Sequence, residues 1–313
     1  MLRVSLFSLD SLSTLRSKSL KFKPLNDKGI MQKIFLVALL VLPFIEPIMA
    51  QRDTIQYFGH RGFRGLYPEN TIEGFNQALA LGIDGIEWDV VVNKDKQLVV
   101  SHDPFFESKF CLMPDGSEIV NEKNINMYEM TQAEIETYDC GLKPHPNFPE
   151  QLKFAVHKPL LQEVFAQADL SKAIILFEVK SSPEDDGIYQ PAPKEYAELI
   201  QKEIADFAYK QNIIFMSFDA RILEEIHLLM PAYKCVYLTY LPLKSASAFL
   251  KDLTFKPYAL GMFYPTIKRS KTRKLKKEGI KAFAWTVNDQ KISQKLIRRG
   301  VEGFITDYPD RVK

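Results

Sequence analysis

From residue 55 onward the chain alternates short apolar runs with amphipathic stretches, the strand-like runs number close to eight, and no G-x-G-x-x-G turn occurs. These observations predict an α/β fold with a parallel sheet closed into a TIM-type (β/α)8 barrel, not an open dinucleotide-binding sheet. The chain has 313 residues, 46% hydrophobic and 26% charged, enough to bury a large core. Barrels of this type routinely form one domain of about 250 residues. A formal net charge of +2 excludes a strong field directed at nucleic acid or anionic lipid.

The elements follow in order. Ile55 to Phe58 reads as a strand and Thr71 to Leu81 as a helix with Asn70 as its N-cap. Gly85 to Val92 and Leu98 to Ser101 read as strands around the polar turn Asn93-Lys94-Asp95-Lys96. Residues 104–159 carry Pro114-Asp115-Gly116, Pro144-His145-Pro146 and Phe148-Pro149, all turn signals, and read as a loop-rich insertion in the barrel. Within it, Thr131-Gln132-Ala133-Glu134 resembles a capping box opening a short helix. Strands are then predicted at Ala173 to Val179, Asn212 to Phe218, Tyr233 to Leu238, Tyr258 to Phe263, Lys281 to Trp285 and Gly303 to Ile305. Helices are predicted at Lys194 to Tyr209, Ala220 to Leu229, Ser245 to Leu250, Thr266 to Glu278 and Gln290 to Arg298.

Ahead of the barrel, Met31-Gln32-Lys33 precedes an apolar run from Ile34 to Ile45 and a small residue, Ala50. A short basic region, an apolar stretch and a small residue at the cleavage point are the signature of a secretory leader. The run is shorter than the roughly 20 residues of a comfortable membrane span. Residues 1–50 are therefore expected to be a leader starting at Met31, and 51–313 the barrel domain. The mature chain is expected to be exported, periplasmic or secreted, with an uncleaved membrane anchor as the competing reading. A bridge between Cys111 and Cys140 would suit an oxidising compartment; free buried thiols are the slightly preferred reading.

The chemistry rests on spacing. Glu87 and Asp89 sit two apart near the end of one apolar strand, and Glu178 and Lys180 two apart near the end of another. Side chains two apart share a strand face, so in a barrel these can point together into the mouth. Clustered carboxylates repel one another and are tolerated around a cation; one hard divalent ion, Ca²⁺ or Mg²⁺, suits Glu87, Asp89 and Glu178. His60 and His102 each follow a strand directly, where imidazoles can serve as general base and acid. His145, His157 and His227 lack that placement and read as structural or surface residues. Arg61 and Lys180 bring positive charge to the same place, which suits an anionic phosphate. The basic stretch Lys268 to Lys277 reads as the solvated face of an outer helix, since no aromatic stacking set accompanies it.

These residues also carry a resemblance. His60-Arg61-Gly62, Pro68-Glu69-Asn70-Thr71, Gly85-Ile86-Glu87-Trp88-Asp89-Val90 and Ser101-His102-Asp103 resemble the signature of the glycerophosphodiester phosphodiesterases. Glu178-Val179-Lys180, Ser217-Phe218-Asp219, Trp285-Thr286-Val287-Asn288 and Thr306-Asp307-Tyr308-Pro309-Asp310 resemble its later segments, so the likeness runs from Ile55 to Asp310. Asn93-Lys94-Asp95-Lys96 departs from the family's usual Thr-Lys-Asp-Gly turn, away from the chemistry. The resemblance implies a TIM barrel that hydrolyses glycerophosphodiesters to glycerol 3-phosphate and an alcohol. It implies one divalent ion on Glu87, Asp89 and Glu178, acid/base roles for His60 and His102, and phosphate contacts from Arg61 and Lys180. Glu69 and Trp285 would support or line the substrate site, and the insertion suggests the periplasmic type, walling one side of the pocket. The rival expectations are a phospholipase-type relative, which needs an exposed apolar rim, and a catalytically silent binding protein.

Overall fold

The structure is a computed structural model that describes residues 55–240 and 245–313. The expected leader lies outside these residues. The strands are β1 (Gln56–Gly59), β2 (Gly85–Val92), β3 (Leu98–Val100), β4 (Ile174–Val179), β5 (Ile213–Ser217), β6 (Lys234–Thr239), β7 (Ala259–Phe263), β8 (Lys281–Trp285) and β9 (Gly303–Thr306). All but β3 pair parallel in the order β1-β2-β4-β5-β6-β7-β8-β9, and β1 pairs with β9 as well, closing the predicted eight-stranded barrel. The helices are α1 (Ile72–Ala80), α2 (Gln132–Ile135), α3 (Leu161–Gln167), α4 (Pro193–Ile204), α5 (Ala220–Leu229), α6 (Ala246–Phe249), α7 (Arg269–Lys277), α8 (Gln290–Arg299) and α9 (Pro309–Val312). Among the described residues, no helix is long and apolar enough to cross a membrane.

The period-two pattern of each strand splits its side chains between two cores. Ile86, Trp88, Val90, Ile175, Phe177 and Phe215 point outward and are fully buried against the helices. Phe58, Leu176, Met216, Leu238, Phe283 and Ile305 fill the barrel interior. On β2 the inward positions are Glu87 and Asp89, so polar groups replace the apolar filling toward the mouth. Register sets Glu87 beside Leu176 and Asp89 beside Glu178.

Four expectations are corrected. Thr71, not Asn70, caps α1: its Oγ1 accepts from the Gly74 N–H at 3.1 Å. Helix α3 was not foreseen; Leu160 offers no capping side chain and Pro159 precedes it, although Glu163 accepts from the Leu160 N–H at 2.7 Å. Strand β3 is not a barrel strand but runs antiparallel to β2, because the Asn93–Lys96 turn makes a hairpin. Cys111 and Cys140 form a disulfide in place of the preferred free thiols, while Cys235 is free and buried.

The insertion is held by that disulfide and a satellite core. Phe106, Phe110, Ile119, Met127 and Ile135 pack with Val91 and Val99 of the hairpin. The predicted capping box is present, with Thr131 and Glu134 bonding reciprocally across the start of α2.

Candidate active site

Two backbone turns aim the first polar groups. After β1 the chain reverses through Arg61 (φ 49°) and Gly62 (φ 84°), a left-handed conformation that costs a non-glycine residue energy and clusters at functional sites. Glycine is needed at 59 too, since a Cβ there would lie 2.1 Å from the Gly62 carbonyl oxygen. The turn directs the Arg61 N–H to Glu87 Oε2 at 2.8 Å. Asn70, also left-handed (φ 57°), is a clamp and not a cap. Its amide donates to Asp89 Oδ2 at 3.0 Å, and its Oδ1 accepts from the Asp89 N–H at 3.3 Å.

The three predicted acids meet. One carboxylate oxygen from each of Glu87, Asp89 and Glu178 lies within 4.8 Å of the others, and all three residues are buried. They sit inside their strands, not past the ends. Lys180 Nζ lies 2.5 Å from Glu178 Oε1 and 3.4 Å from Asp89 Oδ1. Arg61 pairs with Glu69 at 2.8 Å and approaches Asp89 at 3.5 Å; Glu69 also holds Arg64 at 2.6 Å.

Burial and the charges of Asp89 and Glu178 push the Glu87 carboxyl well above its ordinary range. Burial also raises Glu178 against the pull of Lys180. Burial works to raise Asp89 as well, but Lys180, His102 and Arg61 outweigh it and hold that group low. Glu87 Oε1 and Asp89 Oδ1 are buried with no hydrogen-bond partner among the described residues. Converging carboxylate oxygens that lack hydrogen bonds, with only Lys180 near Asp89 Oδ1, are the donor set of a hard divalent cation, so these residues fit the expected ion.

Each histidine is pinned by a carboxylate. His60 Nδ1 lies 2.6 Å from Asp307 Oδ1, and Asn288 donates to Asp307 Oδ2 at 2.7 Å. His102 Nδ1 lies 2.9 Å from Asp103 Oδ2. A carboxylate partner assigns the proton to Nδ1 and leaves Nε2 for chemistry. Burial lowers both imidazoles; Asp307 opposes this at His60, while Arg61 and Lys180 add to it at His102. His60 does follow a barrel strand. His102 reaches the site another way: the hairpin returns β3 toward the mouth, where the Ser101 N–H bonds the Asp89 carbonyl at 3.0 Å.

His60, Arg61, Glu87, His102, Glu178 and Lys180 line one cavity of about 260 Å³, while Asp89 is fully buried and not part of its wall. Its opposite wall is apolar, with Met216, Leu238, Ile305 and the predicted Trp285. The Trp285 Nε1 donor is buried without a hydrogen-bond partner among the described residues. Glu69 stands behind the arginines and not in the wall. Sequence reasoning missed Arg64, which lines the cavity, and the pinning carboxylates Asp103 and Asp307. Arg64 shares the Arg61 turn, which was the available signal. His145 stacks on Phe110, His227 stacks on Phe255, and His157 is half-exposed, all outside the cavity as expected. Helix α7 presents its basic residues to solvent, with Thr272 and Leu275 buried.

Known proteins resemble this chain over most of its length. Residues 60–311 match the model of the glycerophosphoryl diester phosphodiesterase family. A glycerophosphodiester phosphodiesterase of Caldanaerobacter subterraneus is 32% identical, over 80% of this chain and 93% of its own. One from Bacillus altitudinis is 32% identical, over 81% and 95%. The crystal structure of a Silicibacter pomeroyi protein named for the same family superposes with a TM-score of 0.75 at 26% identity, over 83% and 92%.

Proposed function

The chain belongs to the glycerophosphoryl diester phosphodiesterase family, and from that membership we propose that its cavity hydrolyses glycerophosphodiesters to glycerol 3-phosphate and an alcohol. The observation that carries the reading is the meeting, around one cavity, of two carboxylate-pinned imidazoles and paired cations with Glu87 and Glu178, which form an acid triad with the buried Asp89. Glu87, Asp89 and Glu178 would hold one divalent ion, Ca²⁺ or Mg²⁺, which when bound polarises the phosphoryl group and offsets its charge.

The chain's own groups do the rest. Arg61 and Lys180 face the anionic phosphate, while Glu69 keeps the Arg61 guanidinium in place. One imidazole Nε2 takes the proton of the attacking hydroxyl, from water or from the glycerol 2-hydroxyl, and the other returns a proton to the departing alcohol oxygen. Where the 2-hydroxyl attacks, the cyclic phosphate it forms is then opened by water to glycerol 3-phosphate. The second role needs a protonated ring. An anionic diester between the rings favours that form, and the pinning carboxylate stabilises it. The apolar wall around Trp285 suits the carbon face of glycerol.

A hydrolysis panel of glycerophosphodiesters, with chelator and with Mg²⁺ or Ca²⁺ restored, tests the reading. Turnover should vanish with chelator and return with metal. His60→Ala and His102→Ala should each lower kcat by on the order of 10³-fold or more with circular dichroism unchanged. Near-wild-type rates in both variants would remove the acid/base scheme.

We also propose export, in the manner of the periplasmic type. The leader-like segment and the Cys111–Cys140 bridge support it, since disulfides persist in oxidising compartments. One observation favours a second, phospholipase-type reading. Phe218, Tyr240, Phe263 and Trp285 form an aromatic rim at the ends of adjacent strands, with Tyr240 57% and Phe218 41% exposed. Faster cleavage of lysophosphatidylcholine than of glycerophosphocholine would select it.

A further inference from the structure

A second, smaller cavity of about 170 Å³ opens past His102 and Lys180, which belong to the walls of both cavities. Asp103 and Pro104 form one side of it, and Ser182, Asp185, Tyr189 and Gln190 the other. It is therefore a seam between the insertion and the loop that follows β4.

That seam is fastened from both sides. Asn126 of the insertion donates to the Ile188 carbonyl at 2.6 Å, and the Tyr189 hydroxyl donates to the Lys123 carbonyl at 3.1 Å. The Tyr189 ring meets Phe105 edge-on, with centroids 6.2 Å apart. The buried Gln190 amide donates to the Ser182 carbonyl at 3.0 Å and to Asp186 at 2.8 Å, fixing the loop's own fold. The cavity is thus built by side chains tied across two segments.

Its lining charge is negative. Asp103 and Asp185 face it with the tyrosine ring. Lys180 is its one lining cation among the described residues, and that ammonium is engaged by Glu178 at 2.5 Å and Asp89 at 3.4 Å. Carboxylates and an aromatic ring are the chemistry that holds an ammonium group. At roughly 30 Å³ per water, the space takes about six water-sized groups, the scale of a small amino alcohol. Its position matters as much as its charge. Because His102 and Lys180 line both cavities, a phosphate held at those two residues would have the Trp285 wall on one side and this seam on the other, within reach of its second ester arm.

We propose that the second cavity is the subsite for the departing alcohol and that it selects a cationic one, bearing an ammonium or quaternary ammonium group, through Asp185, Asp103 and Tyr189. The proposal rests on the phosphodiesterase reading and names the substrate class within it.

The test measures kcat/KM for glycerophosphocholine and glycerophosphoethanolamine against the neutral glycerophosphoglycerol, using the metal-loaded full chain. The cationic-to-neutral ratio should exceed tenfold in the wild type. It should fall at least fivefold in Asp185→Asn or in Tyr189→Leu. A ratio is insensitive to the fraction of each variant that folds. A wild-type ratio near one, or a ratio unmoved in both variants, overturns the subsite while leaving the phosphodiesterase reading standing. Failure to cleave any of the three diesters overturns both.

Discussion

His60 shows how much of one residue's chemistry lies outside its own neighbourhood. Its ring is a usable base because Asp307, 247 positions away in sequence, accepts a hydrogen bond from the Nδ1–H at 2.6 Å and is itself held by Asn288. Replacing Asp307 with Asn frees the ring to turn and favours the wrong tautomer. Asp307→Asn should therefore lower kcat by about 10²-fold or more with KM little changed. Steady-state kinetics on the folded variant decides it, and an unchanged kcat would show that Asp307 does not position the ring. The histidines and the acids were legible because such residues are scarce and their spacing places them on one strand face. Asp103 and Asp307 were not, since a carboxylate that acts through another side chain leaves no periodic mark. Asn70 was misread for a related reason. Asn favours helix starts, and only the fold reveals that its amide is committed to Asp89 at 3.0 Å while Thr71 does the capping.

That distinction carries to the element it begins. Helix α1 packs Phe75 and Ala78 against the barrel, and its first turn lies beside the Arg61 and Asn70 bends. Thr71→Ala removes the bond to the Gly74 N–H and should cost about 1 kcal/mol. In a domain of this size that lowers Tm by about 2–4 °C. Differential scanning calorimetry reads it directly; a Tm within error of wild type would return the cap to Asn70. Strands β2 and β8 and helix α5 match their predicted bounds to the residue, because each pairs an unbroken hydrophobic pattern with a clear stop. Helix α3, with seven residues and no capping side chain, carries too short a pattern to stand out. The hairpin of β2 and β3 is the instructive case. The sequence placed both strands correctly but not the direction of β3, and His102 reaches the mouth because β3 turns back.

At the scale of the molecule, a repeating strand–helix rhythm sufficed to indicate a closed barrel, whereas the site depends on charges that oppose the fold around them. Without a cation, Glu87 and Glu178 are buried beside Asp89, and burial first, then mutual repulsion, raises Glu87. An acid whose folded pKa lies above its unfolded value destabilises the folded state once both states are ionised. Its penalty is therefore full at high pH and relieved as pH falls through the raised folded value toward the ordinary carboxylate range. The buried histidines, whose pKa values are lowered, work oppositely: the unfolded chain takes up their protons first as pH falls through about 6.5, and stability is lost. Comparing wild type with Glu87→Gln cancels the histidines and isolates the acid. In chelator, Glu87→Gln should unfold at a higher temperature than wild type at pH 8, and the gap should close toward pH 5 as Glu87 itself protonates. With Mg²⁺ or Ca²⁺ the order should invert at pH 8, because the ion binds the folded, deprotonated wild type and stabilises it by mass action, while the variant lacks one ligand. Thermal unfolding across that pH range, with chelator and with each ion, gives both halves. A chelated wild type that outlasts Glu87→Gln at every pH would mean that the triad is not a cation-shaped cluster of repelling acids.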